Sequence, residues 1–92
     1  MSQAITVEHN LSPVKQDVLG IDNWPIWSKE VSTFSFTYDQ TEKCYFLEGE
    51  ATVTPDGGEP VHLTEGDYVI FPAGLSCTWE ITEDVEKHYD IG

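Results

Sequence analysis

Glu42, Cys44, Cys77 and His88 are the side chains whose types and spacing could carry chemistry in this sequence. Glu42 and Cys44 stand two apart, so on a strand both point the same way. A carboxylate among Phe36, Tyr38, Phe46 and Trp79 is costly to bury unless it is hydrogen-bonded, and desolvation raises its pKa. A group so placed can act as a general acid or base, which makes Glu42 the candidate catalytic residue. The plainer alternative seats Glu42 at a rim, bonded to Tyr38 or to a backbone donor. If Cys77 approached it, the thiol would favour zinc over manganese or iron, with Glu42, Cys77 and His88 as the conditional metal set. The base expectation is no cofactor, because zinc sites show tighter paired spacings than these.

The remaining candidates also have ordinary structural explanations. Cysteine is among the most buried residue types, and Cys44 and Cys77 are too far apart in sequence for a redox pair. A reactive thiolate needs nearby positive charge, of which the chain has little, and Lys43 points away from Cys44. His88 alternates with Tyr89, so only one of the two faces inward. His62, between Val61 and Leu63, points outward. His9 lies in a terminal segment with no positional warrant as a ligand.

These residues sit on a series of short strands. The stretch from Gly66 to Cys77 organises them: a Gly66-Asp67 turn, a buried strand Tyr68 to Phe71, then a corner at Pro72-Ala73-Gly74. Leu75, Cys77, Trp79 and Ile81 resume an apolar face of period two. Upstream, residues 4 to 9 read as an edge strand. Ser12-Pro13 reads as a helix start and Gly20 as its stop, with Val14 and Val18 on one face that must pack on something. Trp24-Pro25-Ile26-Trp27 presents flat rings that either cover an open end of the core or line a pocket. Val31 to Tyr38 is a strand with Phe34, Phe36 and Tyr38 on one face. Glu42 to Glu48 follows, broken by Glu48-Gly49-Glu50. Ala51 to Thr54 and Pro60 to Thr64 flank the Asp56-Gly57-Gly58 hairpin turn. A turn at Glu83-Asp84 precedes a last strand from Glu86 to Ile91. Short strands, one short helix and no linker predict a single all-β sandwich or barrel over residues 1–92, with segment 1–30 covering the strands of residues 31–92.

The charge balance restricts partners. Seventeen acids face four lysines and no arginine, a net charge of −13, which repels nucleic acid and anionic membranes and removes the usual clamp for phosphate. The start of the chain lacks a signal-peptide pattern, no stretch reaches transmembrane length, and two cysteines make no disulfide framework; a cytoplasmic location is expected.

The spacing of Gly66, Pro72 and Gly74 resembles the second motif of the cupin superfamily. Cys77 stands where that motif has histidine and Ile81 where it has asparagine. Glu42 and Gly49 match the end of the first motif, whose histidines are absent here. More narrowly, the chain is similar to small single-domain (RmlC-like) cupins of the (S)-ureidoglycine aminohydrolase type, through Trp24 to Trp27, Glu42 to Gly49, Gly66 to Trp79 and Lys87-His88-Tyr89. The resemblance implies a jelly-roll β-barrel with a lumen open at one end.

The leading expectation is a protein that binds a small neutral or cationic metabolite in that lumen. Phe36, Tyr38, Phe46 and Trp79 would form walls, and Glu42, Cys44, Cys77 and His88 polar contacts. The alternatives are an enzyme resembling ureidoglycine aminohydrolase or an isomerase, with Glu42 as acid–base group, and a structural module that forms a homodimer. Whether the chain is an enzyme stays open at this point.

Overall fold

A computed structural model describes residues 4–92; the first three residues of the N-terminal segment lie outside the described residues. The chain runs β1 (Thr6–Glu8), α1 (Pro13–Leu19), a 3-10 turn (Ile21–Asn23), β2 (Ile26–Lys29), β3 (Ser32–Thr37), β4 (Glu42–Pro55), β5 (Val61–Thr64), β6 (Tyr68–Phe71) and β7 (Ser76–Ile91). All pairings are antiparallel, in the order β1-β6-β4-β7-β2, with β3 also on β7 and β5 on β4. The result is an all-β jelly roll with one short helix.

Two long strands build the frame. β4 and β7 pair from Glu42↔Ile91 to Pro55↔Cys77, so each spans the whole barrel. The sequence suggested breaks at Glu48-Gly49-Glu50 and at Glu83-Asp84, yet both strands continue through those positions. The punctuation is absorbed as irregularities of register between Phe46 and Ala51, which let a long strand bend around the core without ending. Gly49 takes φ +97°, and a Cβ there would lie 2.7 Å from Val85 Cα, so only glycine lets β4 cross β7 this closely.

The Gly66-Asp67 turn and the Pro72 to Leu75 corner are latched by backbone bonds. Gly66 N donates to Phe46 O at 2.9 Å, and Phe46 N donates to Asp67 O at 3.0 Å. Tyr38 N donates to Leu75 O at 2.9 Å, and Gly74 N donates to Tyr38 O at 2.6 Å. Asp67 is buried, and its carboxylate accepts from Thr64 N at 2.9 Å and lies 2.8 Å from His9 Nδ1. His9 thus ties the N-terminal segment to the turn before β6.

α1 has the expected caps: Ser12 Oγ accepts from Lys15 N, Pro13 opens the helix, and left-handed Gly20 closes it. Its valines depart from expectation. Val14 and Val18 are 73% and 81% exposed, because the helix is anchored through its caps and Leu11 rather than through an apolar face.

Period-two alternation, changed in phase within β4 by its register shifts between Phe46 and Ala51, directs Phe46, Val53, Val69, Phe71, Trp79, Ile81 and Val85 into one core. Trp79 stands at its centre, stacked with Phe34 (ring centroids 6.0 Å apart) and Phe46 (6.2 Å).

Candidate functional site

Cross-strand register brings the site together. Trp27 on β2 faces Lys87 on β7, Phe34 on β3 faces Trp79, and on β4 Glu42 faces Ile91 while Cys44 faces Tyr89. Residues directly opposite on a sheet share a face, so these pairs all point into one end of the barrel. There all of them but Cys44 line a half-open cavity of about 210 Å³ with mostly apolar walls. Phe36 and Ile91, 44% and 53% exposed, stand at its edge.

Lys87 is the group that sequence reasoning missed. Its side chain is 5% exposed, and its Nζ donates to Glu42 Oε2 at 3.2 Å and to Cys44 Sγ at 3.0 Å. The ammonium also lies 4.8 Å from the ring centroid of Trp27 and 5.1 Å from that of Trp79. Carboxylate, sulfur and two ring faces thus compensate the charge that burial would otherwise penalise. The signal was present: Lys87 alternates with Tyr89, Ile91 and Val85, so it had to face as they do. The expected turn at Glu83-Asp84 interrupted that count, and lysine is rarely buried.

Glu42 lies in the cavity wall, 13% exposed, and its partners are Lys87 and the Cys44 thiol, which donates to Oε2 at 3.2 Å. Neither Tyr38 nor a backbone donor fills that role. The Cys44 thiol is pushed up to about 12, chiefly by burial; Lys87 opposes this and Glu42 adds to it. Tyr38 lines the cavity and accepts a hydrogen bond from Trp79 Nε1 at 3.2 Å. Burial, and next the Cys44 sulfur, raise the Tyr38 phenol far above its ordinary value. Both hydroxyl and thiol therefore stay protonated at neutral pH.

Of the residues anticipated from sequence, Phe36, Tyr38, Glu42 and Trp79 line the cavity. Cys44 is fully buried behind Glu42 and Lys87, and Phe46 is buried beneath Trp79, so neither is a wall. Cys77 turns its thiol to Phe36 O at 3.6 Å, and burial raises its pKa. His88 faces the opposite way from Tyr89 and places Nδ1 2.9 Å from Trp24 O, outside the lumen. Trp27, Phe34 and Tyr89 complete the walls. Both cysteines are free thiols.

The conditional metal set does not assemble. Glu42, Cys77 and His88 point to three different surroundings, and among the described residues no three His, Cys, Asp or Glu side chains converge to hold an ion. Moreover, Glu42 Oε2 is already engaged by an ammonium, which would repel a cation there. The donors present do not fit the histidine-rich centre of metal-binding cupins. Among the described residues, no helix is long and apolar enough to cross a membrane.

Comparison with known proteins agrees with this architecture. A protein of the DUF861 family from Thermotoga maritima is 43% identical and superposes with a TM-score of 0.93, covering 97% of this chain and 100% of that one. A putative ethanolamine utilization protein Q (EutQ) from Salmonella typhimurium is 26% identical over 72% of this chain and 53% of that one, with a TM-score of 0.65. The EutQ protein of Clostridium difficile, at 15% identity and a TM-score of 0.66, covers 98% of this chain and 68% of its own and shares the fold. No curated protein matches. The EutQ-like cupin domain matches residues 17–89, which hold every wall of the cavity but Ile91. On that match and the Thermotoga relative, the chain belongs to the EutQ-like cupin domain family.

Proposed function

We propose that this protein binds a small neutral organic molecule in the aromatic cavity, with the Lys87–Glu42 pair as its polar anchor. The observation that carries the reading is the position of Lys87, a buried lysine paired with Glu42 in the lining of a mostly aromatic pocket. At about 210 Å³ the cavity is smaller than the roughly 300–1,000 Å³ of drug-sized sites, so the ligand is a small metabolite. Sequence reasoning allowed a neutral or a cationic ligand. The neutral one is favoured, because Lys87 already occupies the ring faces that would attract a cation. Two free thiols suit a reducing, cytoplasmic setting. The test is fluorescence of Trp27 and Trp79 during titration with small ureas, amides, alcohols and carbonyl compounds. Saturable quenching by one class supports the reading, and a flat response to all of them defeats it.

A second reading is favoured by the placement of Glu42 in the cavity wall: an enzyme of the ureidoglycine aminohydrolase or isomerase kind, with Glu42 moving a proton. Turnover of ureidoglycine or of a sugar substrate, lost in Glu42→Gln, would select it. A homodimer is a third reading. Among the described residues, β1, β2, β3 and β5 each pair on one side only and leave strand edges for a second copy, which sedimentation would detect.

A further inference from the structure

We propose that Lys87 is a covalent anchor for a small aldehyde or ketone, forming a reversible imine in the aromatic cavity. The inference rests on the binding reading above and names its ligand class.

Three features favour it. First, Lys87 lines a cavity whose other walls are largely aromatic rings, so an apolar carbonyl compound held there lies beside this side chain. Second, Glu42 Oε2 lies 3.2 Å from Nζ, within reach of its proton. Third, Trp27 and Trp79 stand over the nitrogen, and Glu42 faces it, so the site accommodates one positive charge on that atom. A protonated imine keeps that charge, whereas a neutral adduct would leave Glu42 without its partner.

The step balances. The Lys87 ammonium passes a proton to Glu42, and the freed lone pair attacks the carbonyl carbon. The carbonyl oxygen takes up that proton, giving a carbinolamine. The nitrogen then passes a second proton to Glu42, which delivers it to the departing hydroxyl. Water leaves, a carbon–nitrogen double bond remains, and Glu42 is again a carboxylate. One ammonium and one carbonyl give one iminium and one water, with no oxidant or reductant. Cys44 takes no part beyond bonding to Lys87 and Glu42, since its thiol stays protonated.

The chain supplies its own controls: Lys15, Lys29 and Lys43 all lie outside the cavity. The protein is incubated near pH 7 with limiting propanal or benzaldehyde and sodium cyanoborohydride, which reduces an imine to a stable secondary amine. Peptide mass spectrometry then ranks the four lysines, while tryptophan fluorescence follows occupancy without reductant. The expected result is labelling of Lys87 ahead of the others. Glu42→Gln should slow labelling of Lys87 about a hundredfold, the low end for a positioned proton-transfer group, with the other lysines unchanged. Where that variant does not fold, the order of labelling in the unaltered protein decides alone. Saturable fluorescence with the exposed lysines labelled and Lys87 untouched overturns the imine but leaves the binding reading standing. No labelling of Lys87, and no saturable response to any neutral probe, overturns both.

Discussion

Lys87 Nζ and Glu42 Oε2 form an ion pair at 3.2 Å with side chains only 5% and 13% exposed. A pair this deep is worth little against a well-packed apolar replacement, yet breaking it from one side strands a charge. Glu42→Gln removes the negative charge opposite the ammonium, leaving it at best an amide oxygen beside the sulfur and ring faces, and is expected to cost about 3 kcal/mol of stability in urea unfolding. Lys87→Met should cost less, because Glu42 is the more exposed of the two and lines a half-open cavity from which water can solvate it. The double variant Glu42→Leu, Lys87→Met should return to within about 1 kcal/mol of the unaltered protein. Additive losses across the three variants would show that the two residues are not coupled.

The Cys44 thiol makes stability fall in alkali. The unfolded chain releases this proton near the ordinary value of 9.0, whereas the folded protein holds it to about 12. Between those values the unfolded state binds fewer protons than the folded state. Stability is therefore whole below pH 9 and declines as pH rises, by up to about 1.4 kcal/mol per pH unit for this group. Tyr38 and Cys77, also raised by burial, add to the decline. Urea midpoints measured from pH 8 to 11 should fall less steeply in Cys44→Ala. Equal slopes would mean that Cys44 ionises in the fold as it does in the open chain.

Much of this site was legible because its residues follow strand alternation. Phe34, Phe36 and Tyr38 on one face, and Gly66, Pro72 and Gly74 at their spacings, led directly to the wall of β3 and the corner that Tyr38 latches. What misled was punctuation. Gly49 and the Glu83-Asp84 pair look like chain reversals in sequence, but in a curved barrel they mark where long strands bend. Once β7 is counted as one strand, Trp79, Ile81, Val85, Lys87, Tyr89 and Ile91 share a face, and His88 must lie outside. Apart from Trp79 on its own strand, the partners of Lys87 come from β2 and β4, distant in sequence, so no local pattern announced that a lysine would be buried.

The helix valines are the opposite case, apolar residues that local logic buried and the fold exposes. Val14 and Val18 make no core contact to lose, being 73% and 81% exposed. Val14→Lys and Val18→Lys are expected to change stability by no more than about 0.5 kcal/mol, since lysine is also the better helix former. A larger loss in thermal or urea unfolding would reveal an apolar partner for this face.

Gly49 is where the frame has least room. Its φ of +97° disfavours any side chain, and a Cβ would meet Asp84 O and stand 2.7 Å from Val85 Cα. Those atoms are backbone of β7, so they cannot swing aside as a side chain would. Gly49→Ala must push β4 away from β7 just beyond Phe46 and Glu48, next to the ladder that carries Lys87 opposite Phe46. The expected loss exceeds about 3 kcal/mol, the sum of a strained backbone and an overpacked contact. The cavity should loosen as well, because Lys87 would shift relative to Glu42. Gly49→Ala is therefore expected to lower the urea midpoint and to alter the amide resonances of Glu42, Cys44 and Lys87 together. A destabilised protein with those resonances unmoved would place the strain elsewhere. An unaffected midpoint would mean that the two strands can part at this crossing without cost.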